Sequence, residues 1–366
     1  MMQGNKLPTL KKMIVPALFV GALFATIFMR EPTVVDDGIR RFEGDAMGTH
    51  WTLKIASKNV DAEARQGIQA TIEGTLSMVD GSMSTYRPDS ELMRFNQNKA
   101  WENFKPSKPL ATVMTEAMRI SELTEGAFDV TVGPLVDAWG FGPSGHRRKP
   151  DEIALRSLGL KIGYQKLIVN AEGMKKRMSG MQCDLSAIAK GYAVDQVTEA
   201  VEALGYANFM VEVGGEIVAR GVNATGKPWR IGIERPDPTN RTISRVVDLS
   251  NMALATSGDY RNYREIDGKR VSHVLDPRTR RPIAHRLASV SVLHPSCMTA
   301  DAWATALNVL GDKEGLAVAT SQDLAALFIV RRPGGEFIEV PSPAFERLTA
   351  TKPAAGDGDG QPESTP

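Results

Sequence analysis

Phe209-Met210-Val211-Glu212-Val213-Gly214-Gly215-Glu216-Ile217-Val218-Ala219 is two short apolar runs separated by a pair of glycines. Runs rich in Val and Ile on either side of two residues that tolerate positive φ read as strands joined by a tight turn, and such a turn makes the strands antiparallel. The glycines are thereby assigned to the turn rather than to a ligand. Outward from this hairpin, strand patterns recur at residues 49–55, 167–169, 229–233, 271–275, 288–293 and 325–330. Helical spacing marks residues 62–79, 110–123, 188–204 and 299–310. The last two stop before Gly205 and Gly311, where glycine suits a left-handed closing residue. Helices and strands do not alternate regularly, so an α+β domain with mainly antiparallel sheet is expected in place of a doubly wound parallel one.

The chain has 366 residues, 44 Lys+Arg against 43 Asp+Glu, for a net charge of +1. That balance supplies no basic field for nucleic acid. With 42% hydrophobic and 24% charged residues the chain has the apolar content for a sizeable core. Two cysteines, Cys183 and Cys297, are too few for a disulfide scaffold or a thiolate zinc site, and five histidines form no ligand tract. Any metal is expected to be hard and oxygen-bound.

Residues 13–29 (MIVPALFVGALFATIFM) carry no charge. Roughly 17 residues at about 1.5 Å rise cover about 26 Å, close to a hydrocarbon core of about 30 Å. Lys6, Lys11 and Lys12 precede this stretch, and Arg30 is followed by Glu31, Asp36 and Asp37. The positive-inside rule leaves the N-terminus cytoplasmic and the rest outside. A cleaved signal peptide is the competing reading, but Leu23 and Phe24 spoil the small-residue site around Ala22 and Ala25. No cysteine precedes Cys183 to carry a lipid. The expected organisation is a cytoplasmic N-terminus at 1–12, a transmembrane signal-anchor at 13–29, a linker at 30–41, one domain at 42–350 and a disordered, Gly/Pro-rich tail at 351–366.

Several stretches carry chemistry. In Ala300-Asp301-Ala302-Trp303-Ala304-Thr305 a carboxylate and a hydroxyl four residues apart project from one helix face and suit Mg²⁺, which takes octahedral oxygen ligands. The structural alternative has Asp301 complementing the helix dipole and Thr305 bonding back to a carbonyl. In Cys183-Asp184-Leu185-Ser186-Ala187-Ile188-Ala189-Lys190-Gly191, Asp184 suits a helix cap, and a helix start beside Lys190 suits a phosphate or a polar ring edge. An ordinary capped helix with a solvated lysine fits the same residues. Gly191 inside a helical pattern points to a close neighbour. Gly126-Ala127-Phe128-Asp129-Val130-Thr131, continuing to Trp139-Gly140-Phe141-Gly142, lets backbone approach a flat ligand. His273, beside Ser272 and Asp276, is either a general base or a buried structural histidine. Strict alternation puts it on the face opposite Asp276, so no His-Asp couple is expected. There is no Ser-His-Asp order, phosphate-loop GxxxxGK[ST], zinc spacing or GxGxxG after a strand, which disfavours the common nucleotide folds but not nucleotide binding.

Met47-Gly48-Thr49, Ser84-Thr85-Tyr86 with Asp89-Ser90-Glu91-Leu92, and the stretches around Asp129, Asp184, Gly214, Thr256-Ser257-Gly258-Asp259-Tyr260, His273 and Asp301 occur together in one order. In that order the chain resembles the ApbE family, the FAD:protein FMN transferases, over residues 42–345. The resemblance implies an ApbE-type α+β fold related to the T-fold, Mg²⁺-dependent transfer of FMN from FAD to a threonine of an acceptor protein, and release of AMP. It implies FAD contacts at Met47, Tyr86, Ala127, Phe128, Asp129, Asp184, Lys190 and Ala288. Asp301, Thr305 and the carbonyl of Ala187 resemble the magnesium ligands, and His273 the catalytic histidine. Acceptors would be flavin-bearing subunits of membrane redox complexes, of the sodium-pumping NADH:quinone reductase or Rnf type, met on the periplasmic side of a bacterial inner membrane. FAD hydrolysis to FMN and AMP, or flavin binding without catalysis, are the alternatives. Arg280 departs from the pattern, standing where relatives often have glycine.

Overall fold

The computed structural model describes residues 37–145, 149–237, 242–258, 263–266 and 269–350. The expected anchor at 13–29, the tail at 351–366, and Asp259 and Tyr260 lie outside the described residues. Among the described residues no helix is long and apolar enough to cross a membrane.

From Ile39 onward the chain is one unit. Its elements in order are β1 (Ile39–Ala46), β2 (Thr49–Ala56), α1 (Ala62–Met83), α2 (Glu91–Gln97), α3 (Lys108–Leu123), α4 (Gly133–Ala138) and α5 (Glu152–Lys161). After them come β3 (Leu167–Asn170), β4 (Gly173–Lys176), α6 (Ala189–Ala203), β5 (Phe209–Val213), β6 (Glu216–Arg220), β7 (Trp229–Glu234), β8 (Ile243–Leu249) and β9 (Met252–Gly258). The chain continues with β10 (Tyr263–Ile266), β11 (Lys269–Ser272), β12 (Leu275–Asp276), β13 (Arg281–Pro282) and β14 (Leu287–His294). It closes with α7 (Cys297–Ser321), β15 (Ala325–Arg331), β16 (Phe337–Pro341) and α8 (Pro343–Thr349).

The 209–219 hairpin forms as read: β5 and β6 pair antiparallel about Gly214 (φ 62°) and Gly215 (φ 104°), both in the positive-φ region that glycine permits. It sits inside one antiparallel sheet ordered β1-β2-β5-β6-β9-β14-β15-β16, with four separate two-stranded ladders besides. Alternation along the strands serves two cores. Ala326, Phe328 and Val330 of β15 enter the larger cluster with the helices, whereas Ala325, Leu327 and Ile329 enter a second cluster. There they meet Trp229, Ile231 and Ile233 of β7, Val247 and Leu249 of β8, and Phe345 of α8. Period-two alternation with both faces apolar explains why β15 reads as a continuous hydrophobic run.

Most helices carry their own start signal. Asp61, Ser90, Ser107, Asp151, Ser296 and Ser342 each accept the third backbone N–H of the helix they precede. α6 lacks such a cap: it begins after Ile188 with no side-chain bond at its N-cap. Asp184, expected to cap it, instead accepts the N–H of Ser186 at 2.8 Å and closes the turn before it.

The helical stretch expected to close at Gly311 does so there, in the left-handed region (φ 81°, ψ −175°), and beyond this kink, packed on His285, a second helical stretch runs on to Ser321. The strand expected at 271–275 breaks, because Ser272 Oγ accepts the N–H of Val274 at 3.1 Å and turns the chain between β11 and β12. Several elements were not read from the pattern, among them β1, β9, β16, α2 and α8. β9, Met-Ala-Leu-Ala-Thr-Ser-Gly, is short of β-branched and aromatic residues, yet lies between β6 and β14. Arg280 occupies a left-handed position (φ 63°), so glycine suits that turn without altering its path.

Candidate active site

The middle strands β5, β6 and β9 of the sheet, the neighbouring β7, the starts of α6 and α7 and the 126–142 segment line a cavity of about 1060 Å³. Tyr86, Ala127, Phe128, Asp129, Asp184, Ala187, Lys190, His273, Asp301 and Thr305 all line it. Stretches far apart in the chain are thereby brought to one place. Met47 and Ala288 are not in its lining. Met47 holds the β1–β2 turn at φ 52° against the main core, and Ala288 is wholly buried on β14.

α6 and α7 meet where Gly191 faces Asp301. A methyl group on Gly191 would collide with the carbonyl of Cys297 and lie 2.8 Å from Asp301 Cβ, so only glycine permits the approach. Gly191→Ala is expected to cost about 1–3 kcal/mol, because rigid backbone cannot yield. A denaturant titration measures it.

That approach redirects one hydrogen bond. The N–H of Gly191 donates to Asp301 Oδ2 at 3.0 Å instead of completing a helical bond to the carbonyl of Ala187. The Ala187 carbonyl therefore accepts no bond from the described residues. Asp301 Oδ2 also lies 3.6 Å from Lys190 Nζ, while its Oδ1 and the hydroxyl of Thr305 have no hydrogen-bond partner among the described residues. The back-bond of Thr305 to a carbonyl, the bland expectation, is absent. Three residues that line one cavity thus each carry an oxygen with no partner among the described residues, a donor set that suits a hard cation. Among the described residues there is no group of three or more His, Cys, Asp or Glu placed to hold a metal, so a soft or multi-carboxylate site is not what this arrangement offers.

Lys190 is held from its other side by Glu216, 3.1 Å from its Nζ. Burial opposes the ammonium charge, but Asp301 and Glu216 outweigh it and hold Lys190 above the usual lysine range. Burial pushes Glu216 up to about 8, against the pull of Lys190. Its Oε2 is buried with no hydrogen-bond partner among the described residues. Glu216 escaped the sequence reading because it looked like the first residue after a turn; only the register of β6 aims it at Lys190. A carboxyl whose folded pKa lies above its unfolded value of about 4.3 keeps a proton that the unfolded chain releases, so stability falls as pH rises from there to about 8. Glu216→Gln is expected to remove that fall from the ion-free protein, as thermal unfolding across pH 4–8 reads directly.

The remaining polar motif residues mostly hold the walls. Asp129 Oδ1 accepts the N–H and hydroxyl of Thr131 (2.8 and 2.7 Å), and Oδ2 the N–H of Tyr164 (2.8 Å). Burial raises its pKa despite these donors. The N–H of Asp184 donates to the Val130 carbonyl at 2.8 Å, and Asn96 clasps the backbone of Cys183 at 2.7 and 2.9 Å, so two walls are tied together. In the 84–91 stretch, Ser90 binds its own loop, Glu91 accepts the N–H and hydroxyl of Ser107 at the start of α3, and Tyr86 alone reaches the cavity, 67% exposed, its hydroxyl 3.4 Å from the Phe141 carbonyl. His273 is half-buried with its ring edge-on to Phe141, centroids 6.3 Å apart. Asp276 is engaged by Arg278 at 3.1 Å. Cys183 and Cys297 are separate buried thiols.

The ApbE family profile matches residues 47–328. This chain belongs to the ApbE family. Curated relatives named FAD:protein FMN transferase include one from Vibrio cholerae, 44% identical over 83% of this chain and 90% of its own length. Another, from Haemophilus influenzae, is 45% identical over 84% of this chain and 91% of its own. Among solved structures, the flavin transferase ApbE from Vibrio cholerae superposes with a TM-score of 0.77 at 41% identity, covering 84% of this chain and 99% of that one. The apo flavinyl transferase ApbE of Pseudomonas stutzeri gives 0.78 at 37% identity, covering 86% and 98%. The family's fold is the α+β antiparallel architecture described above.

Proposed function

We infer that this chain is an FAD:protein FMN transferase that moves FMN from FAD onto a threonine hydroxyl of an acceptor protein and releases AMP. The observation that carries the reading is the trio of oxygens without partners among the described residues, Asp301 Oδ1, Thr305 Oγ1 and the Ala187 carbonyl, on residues that line a cavity of about 1060 Å³ beside Lys190. These residues would hold Mg²⁺, which when bound neutralises charge on a pyrophosphate and on the departing phosphate. Lys190 adds positive charge for a phosphate, and Tyr86 at the mouth offers a face for a flavin ring. His273 accepts the threonine proton as the hydroxyl oxygen bonds to the FMN phosphorus and the bond to the AMP oxygen breaks.

The apolar stretch at 13–29, with its preceding lysines, supports an inner-membrane anchor that leaves the catalytic domain on the periplasmic side. Acceptors in that place are flavin-bearing subunits of membrane redox complexes. The test is direct. Full-length protein in detergent is mixed with FAD, Mg²⁺ and an acceptor subunit, and the denatured acceptor is inspected for covalent flavin fluorescence. Labelled acceptor with equimolar AMP is expected. Free FMN with unlabelled acceptor would make the chain a hydrolase, and neither product would make it a carrier.

A further inference from the structure

α6 and α7 cap each other. Asp301 of α7 takes the third N–H of the otherwise uncapped α6, at Gly191 (3.0 Å). In return Asp195, one turn beyond Gly191 on α6, accepts three donors at the start of α7. These are the Ser296 hydroxyl (2.8 Å), the Cys297 N–H (2.8 Å) and the Met298 N–H (3.0 Å). Asp301 is itself one turn beyond Cys297. Four points at one-turn spacing therefore pin the crossing, with Gly191 seated on the Cys297 carbonyl between them. Ser296 already serves the next N–H of α7, at Thr299 (3.3 Å), so Asp195 completes the first turn from the neighbouring helix.

We propose that Asp195 is a positioning residue for the cation site, fixing the axial register of α7 against α6. This rests on the reading of the three oxygens as Mg²⁺ ligands. Asp301 and Thr305 ride on α7, while the Ala187 carbonyl immediately precedes α6, so the spacing of the donor set is the spacing of the two helices. Mg²⁺ demands near-octahedral geometry at about 2.0–2.1 Å and tolerates little slip. A carboxylate that grips the N–H groups of one helix from a fixed turn of the other supplies that precision without touching the ion.

Asp195→Asn in the full-length chain tests the proposal, with Mg²⁺ binding read by calorimetry and transfer read against Mg²⁺ concentration. The half-saturating Mg²⁺ concentration is expected to rise about 10-fold, in the range found for residues that orient metal ligands. Transfer at saturating Mg²⁺ should return to within about two-fold of wild type, and FAD affinity without Mg²⁺ should not change, because only the register is loosened. Ser296→Ala removes one of the three donors to Asp195 and should give a smaller shift of the same sign, which keeps the test available if the first variant folds poorly. Phe345→Leu, in the second core, lowers stability by a route away from these helices and should leave Mg²⁺ affinity alone. Folded Asp195→Asn and Ser296→Ala proteins that bind Mg²⁺ as wild type does would overturn the proposal, as would a transfer loss that Mg²⁺ fails to rescue. A wild-type chain that binds no Mg²⁺ would instead remove the ligand reading itself, and this proposal with it.

Discussion

Asp301→Ala is expected to abolish transfer and, with it, the Mg²⁺-dependent part of FAD binding. In the proposed site the carboxylate does two things at once: Oδ1 would supply the charged member of the donor set, and Oδ2 holds the Gly191 N–H and balances Lys190. Removing it takes away the anionic ligand and leaves Lys190 with Glu216 alone. Loss of several kcal/mol of charge stabilisation at the breaking pyrophosphate corresponds to a fall of about 10³-fold or more in kcat/KM. Asp301→Asn separates the two roles. An amide oxygen still accepts from Gly191, so the α6–α7 crossing survives, yet the negative charge is gone. Both variants should lose transfer, and only the alanine should also lose thermal stability appreciably. Covalent flavin on acceptor, together with FAD titrations with and without Mg²⁺, measures the effect; full turnover by either variant would refute the assignment.

His273→Ala is expected to leave FAD and Mg²⁺ binding intact and to slow transfer by about 10² to 10⁴, the range for a missing general base. The ring lies in the cavity wall, edge-on to Phe141, and Asp276 is engaged by Arg278. A base must be neutral to accept the threonine proton. The wild-type rate should therefore climb with pH through the histidine's titration, and the variant's residual rate should lose that limb. Unchanged single-turnover transfer in the variant would leave His273 a structural residue of the β11–β12 turn.

Both experiments concern residues that were legible in the sequence, and the reason is physical. Asp301 and Thr305 share a helix, so a spacing of four placed them on one face before any fold was known. The hairpin at 209–219 likewise announced an antiparallel sheet through its two glycines. By contrast β9 hides between better-marked strands because its small residues are chosen to fit beneath α7, where packing overrides propensity. The break after Ser272 depends on one hydroxyl finding the Val274 N–H, which no alternation pattern reveals.

The cavity shows the same division. Ser90 holds its own loop, Glu91 ties that loop to the start of α3 at Ser107, and Asp129 ties the cavity wall to Tyr164, ties that no motif pattern reveals. Glu216 and Asp195, which looked like a turn residue and a helix residue, turned out to brace the site.

The sequence by itself determined what local rules govern: the helix faces, the hairpin, and the spacing that sets Asp301 and Thr305 on one side of a helix. Tertiary structure decided how those side chains meet. Whether the Ala187 carbonyl is open depends on a carboxylate more than a hundred residues away taking the Gly191 N–H, and that choice exists only once two helices cross closely enough for glycine to be the one residue that fits.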